Sequence, residues 1–303
     1  MLGKTSKVFY LLLIGWSLLI PIGAFSQLKV QIVDAETNLP IPYVNIWVEG
    51  QHIGTTSDEE GLFQIEGISD TATLVFSCIA YQRLRQKKHT LGTIIKLQKQ
   101  ATQLSAVTVS PPKNEEHYKL GKIRKRKVKN YFACGTMPWR IAKPIPFEEQ
   151  FRKTPFLKEV NILTDSDVNG AKLRIDILEW NKNDIEAPIN VLQSAIYQEV
   201  KKGKKITRID LENYQIRVPE NGLLLLFEWL IIEQNKYEFE VRNWQTQVME
   251  QRTTYEPSIG LMPSKKSKIT YLYSKGQWRV AEGHLNFKDK QLLEIAAELI
   301  FTD

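Results

Sequence analysis

The stretch Asp165-Ser166-Asp167-Val168-Asn169-Gly170, with Asp176 at the twelfth position, carries oxygen donors at the spacing of a calcium loop. Carboxylates at alternate positions around a glycine turn can converge on one hard cation. Against this, the twelfth position is Asp where such loops use the longer bidentate Glu, and Asp176 alternates with Ile175 and Ile177 as in an extended strand. A polar hairpin turn accounts for the same residues. The sequence therefore expects no metal or cofactor, with calcium at Asp165, Asp167, Asn169 and Asp176 left as an open alternative.

Glu228 sits inside the apolar run 223–232, where a charge must face solvent or find a partner. Alternation puts Leu224, Leu226, Glu228 and Leu230 on one face and Leu225, Phe227, Trp229 and Ile231 on the other. A half-exposed sandwich edge is the expected setting, with a buried Arg partner as the alternative. One carboxylate without a second placed opposite does not make a glycosidase. Trp139, Trp180, Trp229, Trp244, Tyr255, Tyr271 and Trp278 could build a sugar-stacking platform, although large aromatics in β-proteins more often fill the core or its rim. Trp180 and Trp244, beside Asn181 and Asn243, are the expected surface pair and the candidate ligand-binding residues. The four histidines, His52, His89, His117 and His284, form no H-x-x-E or H-E-x-x-H arrangement, and no G-x-S-x-G elbow occurs. No catalytic set is assigned; His284 is the histidine that a hydrolase would use.

The elements that must position these groups begin after an export signal. Lys4 and Lys7 precede an apolar run from Val8 to Ile20, followed by Pro21, Gly23 and the small-residue site Ala24-Phe25-Ser26. This is the pattern of a signal peptide over residues 1–26. The run is shorter than the ~20 residues of a spanning helix, and no cysteine follows it to carry a lipid. Hydrophobic residues make up 43% and charged residues 25% of the chain, a globular composition with enough length for two cores. Cys78 alternates with Leu74 and Phe76, which favours a buried free thiol over a bridge to Cys134.

Residues 27–109 show period-2 patterning broken by short turns, about seven strands in about 80 residues, as in a small sandwich. Four motifs in order carry a resemblance: Val30-Gln31-Ile32-Val33-Asp34, Leu39-Pro40-Ile41-Pro42-Tyr43-Val44-Asn45-Ile46, Gly54-Thr55-Thr56-Ser57-Asp58-Glu59-Glu60-Gly61-Leu62-Phe63 and Phe76-Ser77-Cys78-Ile79-Ala80-Tyr81. This segment resembles the carboxypeptidase regulatory-like domain. The resemblance implies a transthyretin-like (Ig-like) β-sandwich, a module also found at the N-terminus of TonB-dependent outer-membrane receptors, and implies no enzyme. Val30 and Ala80 stand where that family usually has Gly, and both departures concern local backbone geometry. The roughly 190 residues that follow are too few for a receptor plug and barrel at about 10 residues per strand.

Residues 110–135 read as an exposed basic linker, with seven cations between Lys119 and Lys129. A contact to anionic lipid, polysaccharide or nucleic acid is the functional alternative to a solvated connector; no aromatic interleaves the run to stack bases. Residues 136–303 read as a jelly-roll-like β-sandwich, with candidate strands at 158–163, 172–178, 195–200, 205–210, 214–218, 223–232, 268–273 and 292–300. The last of these suits a short helix equally well. Leu173-Arg174-Ile175-Asp176-Ile177 and Tyr214-Gln215-Ile216-Arg217-Val218-Pro219-Glu220-Asn221-Gly222 are similar to a segment paired with the same module in exported proteins, a family that brings no settled activity.

The expectation is thus an all-β, non-enzymatic binding or assembly protein of the Gram-negative envelope, in the periplasm or at the outer-membrane surface. Its expected partner is an envelope protein or polysaccharide, with no nucleic acid and at most peripheral membrane contact. A carbohydrate-binding protein using Trp180 and Trp244 is the alternative, and a hydrolase the remote third reading.

Overall fold

Val30, Ile32, Ile46, Val48, Leu74 and Phe76 recur every second residue along short extended segments, so each strand must bury one face against another sheet. The structure, a computed structural model, describes residues 29–100, 113–180, 189–192, 194–263, 270–274, 277–280 and 293–303. Residues 1–26, read as an export signal, Asn181 and His284 lie outside the described residues.

Seven strands build the N-terminal unit: β1 Val30–Asp34, β2 Asn45–Val48, β3 Gly54–Thr56, β4 Leu62–Phe63, β5 Thr73–Ser77, β6 Leu84–Lys87 and β7 Ile94–Leu97. They form a three-stranded sheet in the order β4-β1-β7 and a four-stranded sheet in the order β3-β2-β5-β6. β1 pairs antiparallel with β4 and parallel with β7. Their inner faces close on one core that includes Ile32, Ile46, Phe63, Leu74, Phe76 and Leu97. Ala80, in the position where the resembled family has Gly, takes a left-handed φ of 71°. A Cβ is disfavoured there, so the turn keeps its shape and carries the strain.

The remaining strands are β8 His117–Gly121, β9 Asn130–Cys134, β10 Arg140–Ile145, β11 Phe156–Asp165, β12 Ala171–Glu179, β13 Ile189–Asn190, β14 Ile196–Val200, β15 Lys205–Asp210, β16 Ile216–Arg217, β17 Leu223–Trp229, β18 Lys236–Arg242, β19 Met249–Pro263, β20 Tyr271–Ser274, β21 Gln277–Val280, β22 Leu293–Ile295 and β23 Ala297–Thr302. They form a seven-stranded sheet along β13-β12-β17-β10-β20-β21, with β14 on β12, and a nine-stranded sheet along β18-β19-β11-β23-β8, with β9, β15, β16 and β22 paired to its central strands. Leu173, Ile175, Leu225, Phe227 and Trp229 of the first sheet face Leu157, Ile162, Leu299 and Phe301 of the second across a common core. The C-terminal segment that suited strand or helix is strand, interrupted at Ala296.

Two expectations change. Residues 110–135 are not only a connector, because β8 pairs β23 along the nine-stranded sheet and β9 pairs β19. Tyr118 and Leu120 pack on the core while the cations around them stay exposed. The run at 223–232 is no half-exposed edge: every residue of β17 is buried. The reason is a third layer. The N-terminal unit's four-stranded sheet lies on the outer face of the seven-stranded sheet, so that sheet is covered on both sides.

Candidate functional site

Four neighbouring strands place Arg174, Glu228, Arg140 and Tyr273 in one row across the outer face of the seven-stranded sheet. The register pairs Arg174 with Glu228, Glu228 with Arg140 and Arg140 with Tyr273. Directly opposed side chains on one face of a sheet are in contact range, and alternation aims all four at the N-terminal unit. Arg140 Nε donates to Glu228 Oε1 at 2.7 Å, while Arg174 Nε lies 3.3 Å from Glu228 Oε2. Arg174 also grips Asp176, two residues along its own strand, through Nε at 2.9 Å and Nη2 at 3.2 Å. The Arg140 guanidinium stacks 4.8 Å from the centroid of the Tyr273 ring.

The N-terminal unit roofs this row with its own polar atoms. Asn45 on β2 donates to Glu228 Oε1, and Thr56 on the paired strand β3 donates to Asn45 Oδ1 at 3.1 Å. Thr56 also exchanges hydrogen bonds with Ile231: its hydroxyl accepts from Ile231 N at 2.9 Å and its N–H donates to Ile231 O at 3.3 Å. Arg174 Nη1 points to Cys78 Sγ at 3.5 Å, and Arg83 donates to the Tyr273 hydroxyl at 2.7 Å. At the rim, Lys172 meets Tyr43 and Glu59, and Tyr43 packs on Tyr197 with ring centroids 4.6 Å apart.

The row is dry. Glu228 is 0% exposed and Arg174 4%, and the two arginines against Glu228 and Asp176 leave it electrically balanced. Burial pulls the Arg174 guanidinium down, and the charges of Asp176, Cys78 and Glu228 more than reverse it, holding Arg174 protonated more firmly than a free guanidinium. Arg140 moves upward for the same reasons: burial lowers it and Glu228 outweighs burial. Paired with one another and buried beneath the N-terminal unit, these groups present no open face to a ligand. Their chemistry is docking. A charge pair of this kind adds little net stability but punishes any arrangement that separates its partners.

Gly54 supports the same contact. A Cβ there would lie 2.7 Å from Pro138 Cδ of the C-terminal unit, so β3 reaches the loop before β10 only as glycine. Beside this contact, a cleft of about 390 Å³ opens at the seam, lined by His52, Thr136, Met137, Trp139, Ser274 and Arg279 among others. It is an open cleft of mixed polar and apolar lining.

The candidate residues of the sequence scatter. Trp180 is half-buried and packs against the apolar cluster of Leu178, Leu224 and Leu226 beneath the N-terminal unit. Trp244, at the tip of the β18–β19 hairpin, is 79% exposed, so the two tryptophans do not make one platform. Trp139 and Trp229 stack on each other with centroids 5.4 Å apart, as core aromatics. Asp176 faces Arg174 at the seam, whereas Asp165 and Asp167 lie near Glu256 at the β11–β12 connection, which is not the expected hairpin turn because β11 and β12 belong to different sheets. Among the described residues no group of three or more His, Cys, Asp or Glu side chains can hold a metal. Cys78 and Cys134 are both free and buried, and burial pushes the Cys134 thiol well up from its usual range. Sequence reasoning missed Arg140, Asn45 and Thr56 as members of the row, because their pairing crosses between units and leaves no local spacing.

Residues 29–109 match the model of the CarboxypepD_reg-like domain. No curated protein matched the chain.

Proposed function

We propose that this protein is an exported, non-catalytic binding or assembly protein of the Gram-negative envelope, in which the CarboxypepD_reg-like domain and the larger sandwich act as one scaffold. The observation that carries the reading is the seam. The buried row of Arg174, Glu228 and Arg140 is spent on holding the two units in register, not on a substrate. Glu228, the carboxylate most suggestive of a hydrolase, is tied to Arg140 and Asn45 and reaches no solvent. The N-terminal pattern of two lysines, an apolar run and a small-residue site supports export.

The test is an affinity pull-down of the signal-cleaved protein from solubilised envelope, run beside a glycan array. One stoichiometric protein partner with a silent array supports the assembly reading. Specific glycan binding that is lost in Trp244→Ala moves the protein to the carbohydrate-binding class, which the 79% exposure of Trp244 keeps as the second reading.

A further inference from the structure

The seven cations between Lys119 and Lys129 do not dangle. They are mounted on β8, on a 3₁₀ turn at Lys125–Lys127, and on the approach to β9. Lys119, Lys122, Arg124, Lys125, Arg126, Lys127 and Lys129 are all exposed. None has a carboxylate within ion-pair distance among the described residues. Ile123 and Val128 anchor the segment from below by packing with Leu163 and Ala296 on the outer face of the nine-stranded sheet.

A second strand pair extends the surface. Lys204 donates to Val128 O at 3.4 Å and sits 5.2 Å from the centroid of the Tyr131 ring, and Lys205 follows it, also exposed. Next to them Ile206, paired in register with Leu163, is 45% exposed on this same outer face. The same outer face carries acids as well: Glu298 opposite Gly121, Glu159 opposite Ile300 and ion-paired to Arg208, and Asp210 opposite Glu159, while Asp165 and Asp167 flank the bond from Gly203 N to Ser166 O. Asp165 and Asp167 temper the lysines of that turn and Glu298 faces the start of the basic segment, yet none of these acids comes within ion-pair distance of the seven cations of 119–129. Nine exposed cations thus gather on the 119–129 segment and the adjoining 204–205 turn, in a chain whose whole net charge is +7.

We infer that this basic face docks on the anionic surface of a membrane, its cations on phosphate headgroups and Ile206 entering the interface. A cationic rim around an exposed aliphatic side chain fits a lipid interface. A soluble polyanion gains nothing from the isoleucine, and nucleic acid would call for aromatic side chains within the run to stack its bases.

The experiment is co-sedimentation of the signal-cleaved protein with phosphatidylcholine vesicles, with and without phosphatidylglycerol. The protein should bind only the anionic vesicles. Raising ionic strength from about 0.1 M to about 1 M, which shortens the Debye length from about 10 Å to about 3 Å, should release it. Each cation near such a surface is worth about fivefold in partitioning, so Lys122→Gln, Arg124→Gln, Lys125→Gln and Arg126→Gln together should lower it by roughly two orders of magnitude or more. A matched variant neutralising Lys29, Lys87, Arg217 and Arg242, exposed cations elsewhere, should bind as the parent does. Ile206→Ser should weaken vesicle binding and leave heparin binding unchanged. Equal binding of neutral vesicles, equal loss in both quadruple variants, or binding to heparin with none to anionic vesicles would each overturn the assignment.

Discussion

Replacing Glu228 by Leu leaves Arg140 and Arg174 facing each other in a dry seam, one of them still compensated by Asp176 and the other by nothing. Removing one partner of a buried ion pair costs about 3–5 kcal/mol. Arg140→Met alone leaves Glu228 with Arg174 and removes a 2.7 Å charge-assisted bond, a loss of similar order. The double variant Arg140→Met/Glu228→Leu is different. It clears the uncompensated charge, keeps the Arg174–Asp176 pair, and leaves chiefly the Asn45 amide without its acceptor, a penalty of about 1–3 kcal/mol. The double variant should therefore be more stable than Glu228→Leu alone. The double-mutant cycle should return a coupling on the order of 3 kcal/mol. Urea unfolding of the four proteins, with equal slopes, reads this directly. Additivity within about 0.5 kcal/mol would refute the reasoning, because it would mean that Arg140 and Glu228 do not share a desolvated site.

Three further outcomes follow from single positions. Ala80→Gly should stabilise the protein, because a non-glycine residue at φ 71° costs about 1–2 kcal/mol and the added freedom of glycine in the unfolded chain returns about 0.5–1; a lower melting temperature would contradict this. Gly54→Ala should destabilise by about 1–3 kcal/mol through the clash with Pro138 and should raise amide exchange at the seam before that in the β11–β23 core. Glu256 is pushed up to about 7 by burial and by the nearby charges of Asp167 and Asp165. Its contribution is fully present below the ordinary carboxylate range and is lost as pH rises through about 7, so melting temperature should fall across that window. Glu256→Gln should flatten the profile, and an unchanged slope would remove Glu256 as its source.

The N-terminal sandwich was legible because each short strand shows its inner face within a few residues: Val44, Ile46 and Val48 alternate, and the turns between are marked by Gly and Asp. The face assignment on β17 was equally available, since alternation alone separates Leu224, Leu226 and Glu228 from Leu225, Phe227 and Trp229. What lay on the outer face was not. Only a second sheet makes Glu228 a buried group, and long-range docking has no signature in spacing, although a seven-residue strand apolar on both faces hints at a covering layer. Strand β8 was hidden by the cations around Tyr118 and Leu120, and β9 by the basic run that ends at Lys129 just before it. The 15-residue strand β19 was hidden for the opposite reason. Its residues 249–254 pair with β18 in a two-stranded ribbon that leaves their side chains exposed or half-buried, so no alternation is imposed on them. Trp180 went to an interior rim because its neighbours in space, Leu224 and Tyr271, are far from it in sequence.

The docked seam is tested most directly by hydrogen exchange at the two amides that cross it, Thr56 N to Ile231 O and Ile231 N to the Thr56 hydroxyl. If the units form one scaffold, both amides exchange as slowly as those of β17 and only through global opening. Exchange of both at near-unprotected rates, with β2, β5 and β17 still protected, would show that the N-terminal unit swings free and would contradict the account.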